Sequence, residues 1–85
     1  MKFTASVLIR MKKGLLDPQG TTIGGSLKSL GFAGISDVKV GKLIEIALEA
    51  KGKAEAGKMI ENMCKKLLAN PVIEVFNYEI KEAAK

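Results

Sequence analysis

The sequence contains no histidine and no tryptophan, and Cys64 is its only cysteine. Without histidine, no side chain has an ordinary pKa near neutrality, and catalytic groups of the Ser-His-Asp and Cys-His types are excluded. One thiol cannot form an internal disulfide, and without imidazole it cannot complete a tetrahedral zinc site. A carboxylate pair or a buried lysine remains open as an acid or base. No carboxylate pair in the sequence has a recognisable acid–base arrangement, so we expect no catalytic, cofactor-binding or metal-binding residue in this chain.

Arginine and aromatic side chains are also scarce. The formal net charge is +5, but Arg10 is the only arginine, and the lysines are interspersed with glutamates. Guanidinium groups are the preferred readers of phosphates and guanine edges, and aromatic rings stack on bases. The aromatic residues are Phe3, Phe32, Phe76 and Tyr78. We expect a solvated basic surface and no nucleic-acid partner.

Long apolar runs are absent as well. A bilayer-spanning helix needs about 20 consecutive apolar residues, and no run approaches that length. Lys2 is followed by alternating small, polar and apolar residues rather than by the apolar stretch of a signal peptide. We expect no membrane association and a cytoplasmic, reduced protein.

The length of 85 residues predicts a single domain over 1–85. A chain of this size buries only about 60–65% of its unfolded surface, and small domains often add a metal, disulfides or partner chains. Because the cysteine and histidine counts argue against the first two, self-association is the remaining source of extra stability.

Hydrophobic periodicity predicts five elements in the order strand, helix, strand, helix, strand. The first strand shows alternating apolar residues, and Asp17 with Pro18 has the pattern of a helix start. Asn70-Pro71 has the pattern of a helix stop. The expected ranges are strand 2–12, helix 18–30, strand 37–49, helix 53–69 and strand 72–80.

The second strand poses two questions. Lys42 has the parity of the apolar residues around it, so either it is a buried lysine or Gly41 marks a bulge that turns it outward. We favour the bulge. At about 3.3 Å per residue the segment 37–49 reaches roughly 40 Å, more than a compact domain of this size, so it must bend near Gly41 or project onto another subunit.

This order predicts an α+β fold, an α/β sandwich related to ferredoxin-like folds, with two helices over one face of a three-stranded sheet. The other face would be too apolar to remain open to water. We expect that face to mediate self-association into a dimer or a dimer of dimers. The candidate residues are Leu8, Leu43, Ala47, Ile73 and Val75.

The glycine-rich stretch from Gly20 to Gly25 does not have the spacing of a phosphate-binding loop. Its glycines instead suggest that another backbone approaches the helix closely. From residue types alone, the sequence indicates a small oligomeric α/β module for binding or scaffolding.

Three segments carry a resemblance to a known family: GLLDPQGTT at 14–22, DVKVGK at 37–42 and LLANPVIE at 67–74. In order and spacing, the chain resembles the PurS family, the small subunit of phosphoribosylformylglycinamidine synthase. The resemblance implies a non-catalytic subunit of a glutamine-dependent, ATP-consuming ligase of purine biosynthesis. This subunit would bridge a glutaminase and a large synthetase and support ammonia transfer.

The resemblance also implies that ATP, Mg and glutamine are used by the partner subunits and that this chain binds no cofactor. The family-marked positions are our candidates for contacts with those subunits: Asp17, Gln19, Gly20, Lys42, Asn70 and Glu74. Asp17 and Asn70 could equally serve only to begin and end a helix. The alternative function is a small oligomeric module that binds a regulatory metabolite.

Overall fold

The computed structural model describes residues 1–83, so the last two residues of the expected 1–85 domain lie outside the described part. Three strands and two helices follow one another in the expected order. They are β1 (Lys2–Met11), α1 (Pro18–Ser29), β2 (Gly41–Glu49), α2 (Lys53–Met63) and β3 (Glu74–Glu82), and a π-helical segment (Cys64–Leu68) continues α2. Within 1–83, no helix has the length and apolar character needed to cross a lipid bilayer.

The three strands form one antiparallel sheet in the order β2-β1-β3, with β1 in the centre. Alternation along β1 buries one face of the sheet, which we call the inner face: Phe3, Ala5, Val7 and Ile9 are at most 2% exposed. The opposite side is called the open face. The predicted α+β fold with β-α-β-α-β order is confirmed.

Helix α2 supplies most of the cover of the inner face. Ala56, Ile60 and Cys64 recur at four-residue spacing, which places them on one side of the helix, and all three are completely buried. They pack with the inner side chains of β1 and with Ile80 of β3. The core of the protein is this contact between one helix and two strands.

The end of the second helix differs from the expected continuous helix 53–69. Over Cys64–Leu68 the backbone forms a π-helical turn, in which the N–H of Ala69 donates to the carbonyl of Cys64 at 3.0 Å. A π turn holds an extra residue, so it rotates the side chains that follow. Leu67, which the helical pattern places in the core, is consequently 82% exposed.

Helix α1 covers much less of the inner face of the sheet than α2 does. It packs instead against the extended segment that leads into β2, where Val38 lies beside Gly20 and Gly24. Two helices were expected over the inner face, but within one chain α2 provides nearly all of the cover. The molecule measures 50 × 31 × 15 Å, and its radius of gyration of 16.6 Å exceeds the roughly 12 Å of a compact domain of this length. The molecule is therefore elongated rather than compact.

The expectation of a bulge at Gly41 is wrong. The pairing of β1 with β2 runs without interruption, and Gly41 and Lys42 lie opposite Arg10 and Ile9. A Cβ at residue 41 would approach the carbonyl oxygen of Ile9 to 2.6 Å, so close strand packing explains this glycine. Lys42 keeps its inner-face parity opposite Ile9, but α2 packs over β1 and β3 rather than over β2, and the Lys42 side chain is 60% exposed.

Candidate subunit interface

Asp17 joins two distant parts of the chain. Its carboxylate accepts a hydrogen bond from the N–H of Gly20 at 2.9 Å, which caps α1, and another from the N–H of Val40 at 2.8 Å. These bonds lower the pKa of Asp17 below its ordinary value of 3.8, with the contribution of Gly20 first and that of Val40 second. Asp17 is 6% exposed. The hydrogen bonds that Asp17 accepts are both within the chain, and they stabilise the fold.

Gly20 is the point of closest approach between α1 and the segment before β2. It is buried, and a Cβ there would overlap the carbonyl oxygen of Val38. The suggestion that a backbone approaches this glycine-rich stretch is therefore confirmed, and the approaching backbone belongs to the same chain. Gln19 and Pro18 are exposed beside it. With Ile23 and Val40 they line a shallow depression of about 510 Å³.

Asn70 and Glu74 close the turn between the π-helical segment and β3. The N–H of Asn70 donates to the Glu74 carboxylate at 2.7 Å, and the N–H of Glu74 donates to the Asn70 carbonyl at 2.7 Å. The Asn70 side chain accepts from the N–H of Val72 at 3.0 Å. These reciprocal bonds explain the helix stop, and they leave Asn70 itself exposed.

Lys42 connects the two groups of candidates. Its ammonium lies 3.9 Å from the Glu74 carboxylate, reaching across the end of β1. Two residues earlier, Val40 is bonded to Asp17. The structure thus links the family-marked residues into one continuous region at one end of the sheet. Gln19, Lys42 and Asn70 are its exposed members, whereas Asp17 and Gly20 are buried and the Glu74 side chain is 17% exposed.

The candidates for self-association lie on or next to the open face. Leu8 and Leu43 are directly opposite each other and are 37% and 63% exposed. Val75 is 42% exposed and lies opposite Arg10, while Ile73, in the turn before β3, is 38% exposed. These four side chains belong to the half of the open face nearest the turns.

The other half of the open face is more polar than predicted from the sequence, which indicated an apolar face throughout. Ser6 lies between Glu45 on β2 and Glu79 on β3, which separates Ala47 from the apolar half. Because the parity of β3 places Glu79 and Lys81 on this face, the apolar area is confined to one end. Ala47 is exposed but does not join the cluster around Leu43.

A basic groove, not predicted from the sequence, lies beside the apolar half of the open face. Arg10, Lys12, Lys13 and Lys39 line a space of about 760 Å³ together with Asp37, whose carboxylate lies 3.8 Å from the Lys39 ammonium. The lysines look dispersed along the chain, but strand parity was a usable signal. Arg10 and Lys12 have the open-face parity of β1, and the segment before β2 brings Lys39 alongside.

A second missed contact lies at the side of α2. The hydroxyl of Tyr78 donates a 3.0 Å hydrogen bond to the carboxylate of Glu61, which also lies 3.6 Å from the Lys65 ammonium. The bond to Glu61, and then burial, raise the pKa of Tyr78 above its ordinary value of 10. Burial also raises the pKa of the Cys64 thiol above 9.0, with a smaller contribution from Glu61. These shifts disfavour both anions, so neither group is prepared for nucleophilic chemistry.

Within residues 1–83, His, Cys, Asp and Glu side chains do not gather in threes that could hold a metal ion. The exposed features described above are a turn region, an apolar half-face and a basic groove. Such features suit contacts with macromolecules better than the conversion of a small molecule.

Comparison with known proteins identifies the family. The family model for PurS, described as phosphoribosylformylglycinamidine (FGAM) synthase, matches residues 4–82. The PurS subunit of phosphoribosylformylglycinamidine synthase from Methanocaldococcus jannaschii is 46% identical over 79 residues, covering 93% of each chain. The corresponding Bacillus subtilis subunit is 36% identical over 80 residues, covering 94% of each chain.

Solved structures agree with this result. PurS from Thermus thermophilus superposes with a TM-score of 0.88 at 44% identity, covering 99% of this chain and 100% of that one. A chain in the structure of PurLQS from Thermotoga maritima gives a TM-score of 0.82 at 29% identity, covering 98% and 99% of the two chains. This chain belongs to the PurS family.

Proposed function

We propose that this chain is the non-catalytic small subunit that bridges the glutaminase and the ATP-dependent synthetase of phosphoribosylformylglycinamidine synthase. As a member of the PurS family, it is a subunit of that ligase in purine biosynthesis. The related chain from Thermotoga maritima is found in a structure named for PurL, PurQ and PurS together. In this proposal the complex works in the cytoplasm, and the partner subunits use ATP, Mg and glutamine.

The continuous region from Gln19 through Lys42 to Asn70 is the observation that carries the proposal. Buried groups, among them Asp17 and Gly20, fix its backbone, while Gln19, Lys42 and Asn70 remain exposed. A rigid exposed surface loses little conformational entropy when it binds a partner. This region is the proposed contact with the glutaminase or the synthetase, and the bridge would help to keep released ammonia from solvent.

Self-association through the open face is a second part of the proposal. Leu8, Leu43, Ile73 and Val75 present apolar area that an aqueous surface would not keep without a partner, and Ala47 lies at the margin. Two copies stacked in this way would display two partner-binding regions. The regulatory-module alternative is not favoured, because the structural relative lies in a complex with the synthase subunits.

Reconstitution of the three-component complex tests the bridge. The charge reversal Lys42→Glu should reduce complex recovery and glutamine-dependent turnover, while turnover with added ammonium salt is retained. The matched control is Lys58→Glu on α2, which makes the same charge change away from the region. If Lys42→Glu leaves the complex and its glutamine-dependent turnover unchanged, Lys42 is not part of the interface. Separately, Leu43→Lys should weaken self-association measured by sedimentation.

A further inference from the structure

The pairing of β1 with β2 stops at one end of the sheet, where the last pair is Arg10 with Gly41. At the other end, the backbone of Ala50 exchanges two hydrogen bonds of 3.0 Å with the first residue of the chain. By the alternation of antiparallel pairing, the even-numbered residues of β2 therefore bond to β1, and Val40 would be the next to do so. Its N–H donates instead to the Asp17 carboxylate at 2.8 Å, so the ladder opens here.

The basic groove occupies the gap that this opening leaves. Residues 10–14, at and after the end of β1, form one wall, and Asp37 and Lys39 in the segment before β2 form the other. Val75 of β3 completes the lining of the space of about 760 Å³. Because the Asp17 carboxylate holds the segment before β2 away from β1, the groove is a consequence of the fold and not a chance meeting of surface lysines.

The charges of the groove are not balanced. Four cationic side chains and one carboxylate line it, which leaves an excess of three positive charges. The carboxylate of Asp37 lies 3.8 Å from the ammonium of Lys39. Within residues 1–83, the other three cations, Arg10, Lys12 and Lys13, have no carboxylate within 4.0 Å. Like charges held together repel one another, so an anion between them would remove an electrostatic cost.

The backbone of the groove indicates which anion fits. Phosphate sites commonly use free backbone N–H groups, but here the N–H of Lys12 donates to the carbonyl of Ile73 and the N–H of Val38 donates to the carboxylate of Asp37, both at 2.9 Å. Among the described residues, the lining includes no aromatic ring on which a nucleic-acid base could stack. The donors that remain are long side chains.

The spacing of these side chains is that of an extended chain. Arg10 and Lys12 are two residues apart along an extended backbone, so they project on the same side, about 6.6 Å from each other along the strand. Carboxylates at alternate positions of an extended peptide have the same spacing. Val75, which is 42% exposed, offers an apolar contact beside the cations that a small inorganic anion would not use.

We propose that the basic groove binds an extended acidic segment of a partner subunit of the synthase, with carboxylates at alternate positions. This inference rests on the proposed function and adds the chemistry by which the partner is recognised. The groove is continuous with the proposed partner-binding region, because Arg10 lies opposite Gly41, the neighbour of Lys42, and Val75 follows Glu74. One bound segment could therefore contact both.

Zero-length cross-linking of the reconstituted three-component complex tests the contact. A water-soluble carbodiimide joins a lysine amine to a carboxylate only where the two groups touch. Peptide mapping by mass spectrometry should find Lys12, Lys13 or Lys39 joined to a partner segment that carries acidic residues at alternate positions. An assembled complex in which these lysines join only carboxylates of this chain or of a second copy, or join none, overturns the proposal.

Neutralising two of the cations tests their contribution to affinity. Arg10→Gln combined with Lys12→Gln should raise the dissociation constant of the complex about fivefold or more at about 50 mM KCl, and by less than about twofold at about 500 mM, because salt screens exposed charges. The matched control is Lys58→Gln combined with Lys66→Gln, the same charge change at exposed positions on and after α2. It should change the constant by less than about twofold at both salt concentrations.

The outcomes separate this inference from the bridging role. If the wild-type complex forms and depends on Lys42, but the Arg10 and Lys12 double variant binds like the wild type at both salt concentrations, the inference is wrong and the bridge stands. If the wild-type chain forms no complex, both are wrong. Inorganic triphosphate probes the other occupant: if it raises the melting temperature of the free chain more than KCl of equal ionic strength does, the groove is a phosphate site and the proposal is overturned.

Discussion

The carboxylate of Asp17 holds the N–H of Val40, 23 residues later in the chain, at 2.8 Å. The same carboxylate caps α1 through Gly20, so one side chain fixes the helix start to the segment entering β2. Residues that look like a local helix signal in the sequence therefore also set the position of α1 relative to the sheet.

Replacing Asp17 with alanine should lower the melting temperature by roughly 4–8 °C, because both N–H groups lose their acceptor. Asp17→Asn is the informative comparison, since its amide retains one oxygen for the bond to Gly20 but has no second acceptor for Val40. Thermal unfolding followed by circular dichroism gives the order wild type, asparagine, alanine. Equal stability of all three chains would contradict the role assigned to this carboxylate.

The lowered pKa of Asp17 predicts that the folded protein loses stability in acid. Because its folded pKa lies below the ordinary 3.8, Asp17 stabilises the fold fully above about pH 4–5. That stabilisation is lost as the pH falls through 3.8 toward the lower folded value. Denaturant unfolding at several pH values below 5 should show a shallower dependence on pH in Asp17→Asn than in the wild type.

Gly20→Ala should destabilise the protein by about 1–3 kcal/mol, because the added methyl group would overlap the Val38 carbonyl. Gly25→Ala is a control in the same helix, where a Cβ meets nothing within 4 Å. That change should instead add about 0.4–1 kcal/mol through the lower entropy of the unfolded chain. Opposite signs in urea unfolding are the expected result, and a neutral Gly20→Ala would show that α1 can shift freely.

Tyr78 is the only tyrosine, so its ionisation can be followed directly by ultraviolet absorbance. The wild-type pKa should lie above 10, because Glu61 accepts the hydroxyl proton in a hydrogen bond and its negative charge opposes the phenolate. Glu61→Gln should shift the titration toward 10. Lys58→Gln on the same helix is a control that should leave the titration closer to its wild-type position, and no difference between the two variants would contradict the assignment.

The buried thiol of Cys64 is a probe of local unfolding at the end of α2. Cys64 is completely buried and its pKa is raised, so a thiol reagent should modify it slowly in the folded protein and rapidly in denaturant. Ile60→Ala, which removes a buried side chain next to it in the helix, should cost about 2–5 kcal/mol and accelerate modification. Fast modification of the native wild-type chain would mean that the end of α2 opens easily.

The sequence was sufficient for the order of elements because strand alternation and helix caps are local patterns. Phe3 to Ile9 alternates without exception at the odd positions, and Asp17-Pro18 marks a helix start through short-range bonding. The family-marked segments added the identity of the fold. What these patterns could not supply was the placement of α1, because an apolar helix side shows that a partner exists but not which surface it is.

The remaining differences also have physical reasons. The π turn at Cys64 depends on how the helix end meets the turn before β3, and its sequence still fits an α-helical stripe that includes Leu67. Lys42 has the parity of a buried residue, but burial also requires a helix above the strand, and α2 packs over β1 and β3 instead of β2. The basic groove around Arg10 was obscured because its lysines come from segments far apart in sequence.

The central position of β1 has a consequence for synthesis on the ribosome. β1 is the first strand to emerge, but one of its neighbours is β3, which ends at Glu82. Neither hairpin turns nor short-range contacts can complete this sheet, since both pairings close long loops. In the nascent chain, the edge of β1 that pairs with β3 must therefore remain unpaired until nearly all of the described residues have left the exit tunnel. During this period the chain is most vulnerable to aggregation.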